Sequence, residues 1–302
     1  MSTTSIQTNR ATGRGHILLH NNAGPELSVY ARGSIIAPKA ISLTLSGPAI
    51  LAGVCMLITV IHIYPFAAEL TLALCPLIVI IHNDYQNFLN LGPGGTPSTF
   101  HGYLRITWLK LWTLRDPLVP PKVTPDTFPK TGILAQTPLP YRLGPRPRVA
   151  GIAPQRQVDQ HGSETEYHSL RQAMTHLSLI QPVKFGTACS CFEKHGLALF
   201  ARHAVNKTCY GEIFHIHDTD HSMHMCLHPE DLKEVLEKGW GQRHPLACKG
   251  LFRPNPVPET FVMIYGPRND DELKAIYRVI EASIWYVTGQ VVEFSESSLV
   301  EQ

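Results

Sequence analysis

The chain has no phosphate-binding glycine loop, no GxSxG nucleophile elbow, no CxxC pair and no long basic run. Each absence removes a class of function. "LGPGG", residues 91–95, lacks the lysine and the strand-to-helix setting of a phosphate cradle, which sets kinase and nucleotide roles aside. Without the elbow, Ser190 or Cys191 followed by His195 is too local to signal a hydrolytic triad. A net charge of +2 spread over 302 residues gives no electrostatic footing for nucleic acid. The seven cysteines, Cys55, Cys75, Cys189, Cys191, Cys209, Cys226 and Cys248, are an odd set without framework spacing. They read as reduced thiols, hence a cytosol-facing domain. No secretory signal is expected at the N-terminus.

What is present divides the chain into five parts. Residues 1–40, rich in Gly, Ser, Thr and Asn and without periodicity, read as a disordered tail. Residues 41–82 are apolar almost throughout and read as a membrane region of one helix or a helical hairpin. A crossing needs about 20 apolar residues. Ile41 to Tyr64 meets that length, whereas Phe66 to Ile81 is short and carries Glu69, so it is a second tilted crossing or a re-entrant piece. Arg32 and Lys39 before the region and Arg105, Lys110 and Arg115 after it favour a cytosolic side for both flanks, as in an internal membrane such as the endoplasmic reticulum. Residues 83–154 form a juxtamembrane segment and a Pro-rich stretch. In it, "FHGYLRITWLKLWTLRDP" mixes Tyr103, Trp108 and Trp112 with cations, which suits either a headgroup surface or packing on the folded domain. Ten prolines from Pro117 to Pro154 then dictate an extended linker or a wrapping arm.

Residues 155–290 carry the patterns of a folded α+β domain, an antiparallel sheet of hairpins covered by helices, and residues 291–302 read as a tail. Ser163 and Glu166 make a capping-box pattern ahead of Tyr167, Leu170, Met174 and Leu177 at helical spacing. "VKFGTACSCF" and "GLALFARHAV" flank a turn, and so do "GEIFHIH" and "MHMCLH" around "DTDHS". "PEDLKEVLEKG" is a helix opened by Pro229 and stopped by Gly239. "TFVMIYGP" is a strand, and a helix follows it, started by Asn269 with Glu272 three residues on.

The concentrated chemistry lies in "HIHDTDHSMHMCLH", residues 215–228, with five histidines. Strand alternation puts His215 and His217 on one face with Ile213, and His224, Cys226 and His228 on one face of the returning strand, opposite Met223, Met225 and Leu227. If the Met and Leu face is core, the two histidine faces meet on the other side. "KGWGQRHPLA", residues 238–247, adds Trp240, Arg243 and His244 in a segment expected to be irregular. A neutral imidazole can take a proton and a guanidinium can hold the resulting anion, which supports base-catalysed activation of an acidic organic substrate. A metal held by His215, His217 and His224 is the rival reading, with Asp218 or Asp220 as the carboxylate. Histidines bonded to carbonyls or solvated on a sheet face are the third, and for His221 and His228 the preferred one. Cys189 and Cys191 are weak as ligands.

Residues 212–247 and 260–289, together with "NDYQNFLNLGP" and "FHGYLR" near the apolar region, resemble fungal luciferases and the wider luciferase-domain family. The resemblance implies a membrane-anchored oxygenase acting on a hydroxylated pyrone, 3-hydroxyhispidin, with O2 as co-substrate and no organic cofactor. It implies O2 addition, a cyclic peroxide, loss of CO2 and an excited product that emits light. Carried onto this chain, its matching positions include His215, His217, Asp218, His224, Trp240, Arg243, His244, Tyr265 and Arg268. Side-chain chemistry then suggests His215, His217, His224, Arg243 and His244 as catalytic, with His217 or His244 as base and Arg243 as anion holder, and Asp218, Trp240, Tyr265 and Arg268 as substrate-binding. The expected partners are a small aromatic pyrone or phenolic and a membrane; the same pocket also suits a tethered binding protein without catalysis. The chain departs from the pattern in a longer tail, a second apolar segment, a longer Pro-rich arm, and Gly266 in place of Ala.

Overall fold

The computed structural model describes residues 46–206, 208–248 and 256–294. The expected N-terminal tail, residues 1–40, lies outside them, as do residues 295–302 of the expected C-terminal tail at 291–302. Two apolar helices open the described chain, α1 (Gly47–Ile63) and α2 (Pro65–Asn90), separated at Tyr64 because Pro65 has no N–H to continue the ladder. The balance between them differs from expectation: α1 has 17 residues, and the longer element is α2, with 26. Only α2 is long and apolar enough to cross a bilayer, and it runs through Pro76 and past Glu69. Almost every side chain of both helices is exposed.

Helix α3 (Phe100–Leu109) is capped by Thr99, whose Oγ1 accepts from the Gly102 N–H. One of its faces packs on the folded domain, the second of the two expected roles. Tyr103 and Ile106 pack with Phe88 and Ile152, while Phe100, Leu104 and Trp108 face outward, each at least half exposed. The Pro-rich stretch then lies along the folded unit. Asp231 accepts the N–H groups of Ile133 and Leu134, Glu234 that of Leu139, and the Pro140 carbonyl accepts from Trp240 Nε1. Several of its N–H donors are thereby drawn to the one helix that carries Asp231 and Glu234.

A short hairpin, β1 (Val149–Gly151) and β2 (Gln155–Gln157), leads into helix α4 (Glu164–Ile180). Tyr167, Leu170, Ala173, Met174 and Leu177 form its buried stripe. The capping box is not made: Ser163 is the N-cap but its side chain accepts nothing from the helix. The main sheet comprises β3 (Phe185–Cys189), β4 (Leu197–Ala201), β5 (Glu212–Ile216), β6 (Met223–Cys226), β7 (Gly241–Arg243) and β8 (Phe261–Ile264). It is antiparallel throughout, ordered β3-β4-β5-β6-β8-β7. Strand β7 falls in the segment expected to be irregular, because three residues after Gly239 pair with β8 at the sheet's edge.

Helix α5 (Pro229–Lys238) ends on Gly239 at φ 86, a left-handed cap that a side chain would strain. Helix α6 (Asp270–Thr288) starts where Asn269 accepts from the Glu272 N–H. One face of the sheet meets α4 and α6 through Met223, Met225, Leu227, Val262 and Ile264, all fully buried. Each such side chain contributes about 1.5–3 kcal/mol over staying in water. Residues just past α6 stay with this core: Val292 and Phe294 pack into it, and the Phe294 N–H donates to Glu281.

The thiols are not all reduced. Cys191 and Cys209 are joined in a disulfide, with Cα atoms 5.9 Å apart. The β3–β4 turn folds back over the sheet so that Glu212 accepts the Cys191 and Phe192 N–H groups, and no spacing rule in the sequence announces that approach. Closing a loop between cysteines 18 apart stabilises by about 3 kcal/mol. Thiol titration of the unfolded, unreduced chain should therefore count five free cysteines, and the paired Cys191→Ser, Cys209→Ser variant should unfold at lower urea. Seven titratable thiols would refute the bridge.

Candidate functional site

The face of the sheet away from α4 and α6 carries the histidines. In the β5–β6 ladder His215 pairs directly with His224, so the two imidazoles stand side by side. His217 follows His215 by two residues, and its N–H donates to the Ser222 carbonyl to close the turn. Ile213 does not share this face, as simple alternation would have it. The β4–β5 ladder skips a residue, running from Leu199–Phe214 to Phe200–Glu212. This bulge turns Ile213 into the main core and brings Glu212 onto the histidine side.

Each ring is held from behind. His215 Nδ1 lies 2.6 Å from Glu212 Oε1, His217 Nδ1 2.8 Å from Ser222 Oγ, and His224 Nε2 2.9 Å from Gln155 Oε1. Ser222 Oγ in turn donates to Asp220 Oδ2 at 2.7 Å. The opposite nitrogens converge: His224 Nδ1 is 3.0 Å from His217 Nε2 and 3.3 Å from His215 Nε2. With a Glu193 oxygen, these donor atoms lie within 4.8 Å of one another, and all four residues are buried. Burial holds the His217 and His224 imidazoles well below their usual range, reinforced by Arg156 at His217 and by the neighbouring rings at His224. Both are buried and held toward the neutral form.

Glu193 comes from the β3–β4 turn, which Ser190 and Glu212 shape: Ser190 Oγ donates to Glu212 and accepts the Glu193 N–H. Arg156, on β2, donates to Glu193, to the Pro93 carbonyl and to Thr219 Oγ1, and approaches Asp220 Oδ1 to 4.0 Å. Residues 91–95 pass so close above this pair that a Cβ at Gly94 would collide with Glu193 and Pro154. Burial raises the Asp220 carboxyl, against the pull of Arg156, Ser222 and the Gln157 N–H.

A cavity of about 90 Å³ opens beside the cluster. His215, His224, His244 and Glu193 line its polar side, and Phe192, Phe261, Ile106 and Leu109 its apolar side. Phe261 lies flat on His224, 5.1 Å between centroids. The space suits O2 or a few waters, well short of the ~300 Å³ or more of a drug-sized site.

The other expected site residues separate from this centre. His244 walls the cavity, yet both its nitrogens are engaged, Nε2 with the Ile152 carbonyl and Nδ1 with the Leu246 N–H. Burial lowers it to about 4. The Arg243 guanidinium donates to the carbonyls of Val119, Ala247 and Glu259, and so ties loops together. Asp218 accepts from Tyr167 and Arg171 at the surface. Trp240 sits in the main core, Tyr265 donates to Gln242, and Arg268 forks onto Glu272. Of the bystander histidines, His221 stacks on Tyr167 and His228 Nδ1 accepts the Glu230 N–H at the start of α5. Gly266 packs on Gly162 with no space for the methyl of an Ala.

Sequence reasoning missed Glu193, Arg156, Gln155 and Glu212. The first three are 22 or more residues from His215, outside any local pattern. Glu212 stands at the wrong parity for the histidine face and reaches it only through the bulge.

Residues 210–283, which contain the histidine hairpin, match the Luciferase domain family. A luciferase of Neonothopanus nambi is 35% identical over 237 residues, 71% of this chain and 85% of that protein. Luciferases of Armillaria ostoyae and Armillaria mellea are 35% and 34% identical over 235 residues, 69% of this chain and 82% of theirs. No solved structure matches. With four fifths or more of those relatives spanned at this identity, the chain belongs to the fungal luciferase-like family.

Proposed function

We propose that the protein is a membrane-anchored oxygenase that combines O2 with a hydroxylated pyrone of the 3-hydroxyhispidin type. One observation carries the reading: three buried imidazoles and a carboxylate converge beside a small cavity with one apolar wall. An acidic enol that gives its proton to such a base becomes electron-rich enough to donate to O2. The apolar wall of Phe192, Phe261, Ile106 and Leu109 keeps water from the intermediates. The pyrone is larger than the cavity, so its oxygenated ring enters by displacing the Ile106 and Leu109 side chains of α3. His244 acts as a wall in this reading, and the buried cation beside the centre is Arg156.

The membrane enters through α2 and through the outward Phe100, Leu104 and Trp108 of α3, the helix that also bounds the cavity. An aromatic substrate partitioned to the bilayer then meets the site from that side. The Cys191–Cys209 bridge favours the oxidising face of that membrane for the sheet domain, opposite to the cytosolic face expected from the thiols.

The test is O2 consumption by detergent-extracted protein given 3-hydroxyhispidin, with a photon counter on the cuvette. O2 uptake with light is the expected result for a luciferase. Uptake in the dark would mean an oxygenase whose product is not formed excited. No uptake would reject the pyrone reading and favour a binding protein using the same pocket.

A further inference from the structure

The geometry points to a site for one divalent first-row transition-metal ion, held by His215 Nε2, His217 Nε2, His224 Nδ1 and a Glu193 oxygen. The inference deepens the oxygenase reading and rests on it for what the site does, though not for whether it binds.

Each imidazole hydrogen can be placed from its neighbours. Glu212 is an acceptor, so His215 Nδ1 carries the proton between them. Ser222 Oγ spends its own hydrogen on Asp220, so it accepts from His217 Nδ1. Gln155 Oε1 accepts from His224 Nε2. With one N–H per ring spent on these outer partners, the three remaining nitrogens are left as bare lone pairs. They face one another at 3.0 and 3.3 Å, with no hydrogen to place between them. Lone pairs buried at such separations repel and are unsatisfied, and a cation at their common focus removes both costs.

Two further features fit the same ion. The outer bonds to Glu212, Ser222 and Gln155 are of the kind that orient metal-binding imidazoles and raise their basicity. Charge is also short: among the described residues, Glu193, Glu212 and Asp220 are buried at the cluster against one buried guanidinium, Arg156. Three nitrogens and one carboxylate suit Fe, Mn, Co or Zn rather than Ca or Mg, which prefer oxygen. His215, His224 and Glu193 also line the cavity, so a position facing it stays open to an oxygen donor such as an enolate.

The test uses the full chain in detergent, purified without chelators or metal-affinity resin, and analysed for metals by plasma mass spectrometry. About one ion per chain is expected, removable by chelation and replaceable by Co2+ with visible d–d bands. Glu212→Gln, which removes the negative charge behind His215, should weaken Co2+ binding about tenfold or more, and Glu193→Gln should alter the Co2+ spectrum. A chain isolated without metal, showing no d–d bands and no change in melting with excess Co2+, would overturn the site. The Gln155 amide would then be turned over, with His224 donating to His217. O2 uptake on the same samples separates the two ideas: metal-free protein that oxidises the pyrone rejects the ion and keeps the oxygenase. Metal-loaded protein inert to the pyrone does the reverse.

Discussion

His224→Ala should lower O2 uptake with 3-hydroxyhispidin by about a thousandfold, within the 10²–10⁴ that a positioned proton-transfer group supplies. This ring meets the centre on several sides. Its Nδ1 faces both partner histidines, its Nε2 bonds Gln155, and its ring lines the cavity against Phe261. The substitution also leaves Gln155 Oε1 without its donor, a loss of about 1–3 kcal/mol that must be kept apart from chemistry. His224→Gln refills most of the space and serves as the control: it should melt closer to the parent and be equally inactive. Rates compared at equal folded concentration, checked by near-ultraviolet circular dichroism, decide the matter. A variant that keeps a tenth of the parent's turnover would move the reaction away from this cluster.

Arg156→Met should destabilise the fold by about 3–5 kcal/mol, the cost of breaking a buried ion pair from one side. Arg156 is 5% exposed, answers the buried Glu193, and reaches toward Asp220. Methionine refills the volume and supplies no charge, so two carboxyls are left in a low-dielectric site. Arg156 also pins three separate pieces of chain at Pro93, Glu193 and Thr219, so its loss loosens the roof of the cluster. A fall in melting temperature of about 10 °C or more follows for a unit of this size. Arg156→Lys keeps the charge but not the fork, and should fall between the two. A Met variant as stable as the parent would mean that Glu193 is compensated by something else.

Much of the fold was legible because its periodicities are strong. The α4 stripe from Tyr167 to Leu177, the Pro229 start and Gly239 stop of α5, and the Asn269 cap of α6 are local rules that packing did not override. The two hairpins were legible for the same reason, as turn formers between alternating strands. Errors arose where a local rule had a competitor. Ser163 has the residue type of a capping box without the bond, and β7 exists only because β8 offers an edge to pair with. The longer of the two apolar helices is the one that carries Glu69 and Pro76, since composition counted against it and helix length is a property of the whole segment.

By itself the sequence determined which side chains hold the lone pairs: His215, His217 and His224 share a sheet face by strand parity, with Met223, Met225 and Leu227 turned to the core. It equally carried the family, through the hairpin and the segments after it. Only the tertiary structure decided what surrounds those histidines. It withdrew Arg243 and Trp240 into ties between loops and core, supplied Glu193 and Arg156 from distant turns, and moved Glu212 across by one bulge. The reason is physical: parity acts along a few residues of one strand, whereas a buried charge finds its partner in whatever chain segment folding brings within a few ångströms.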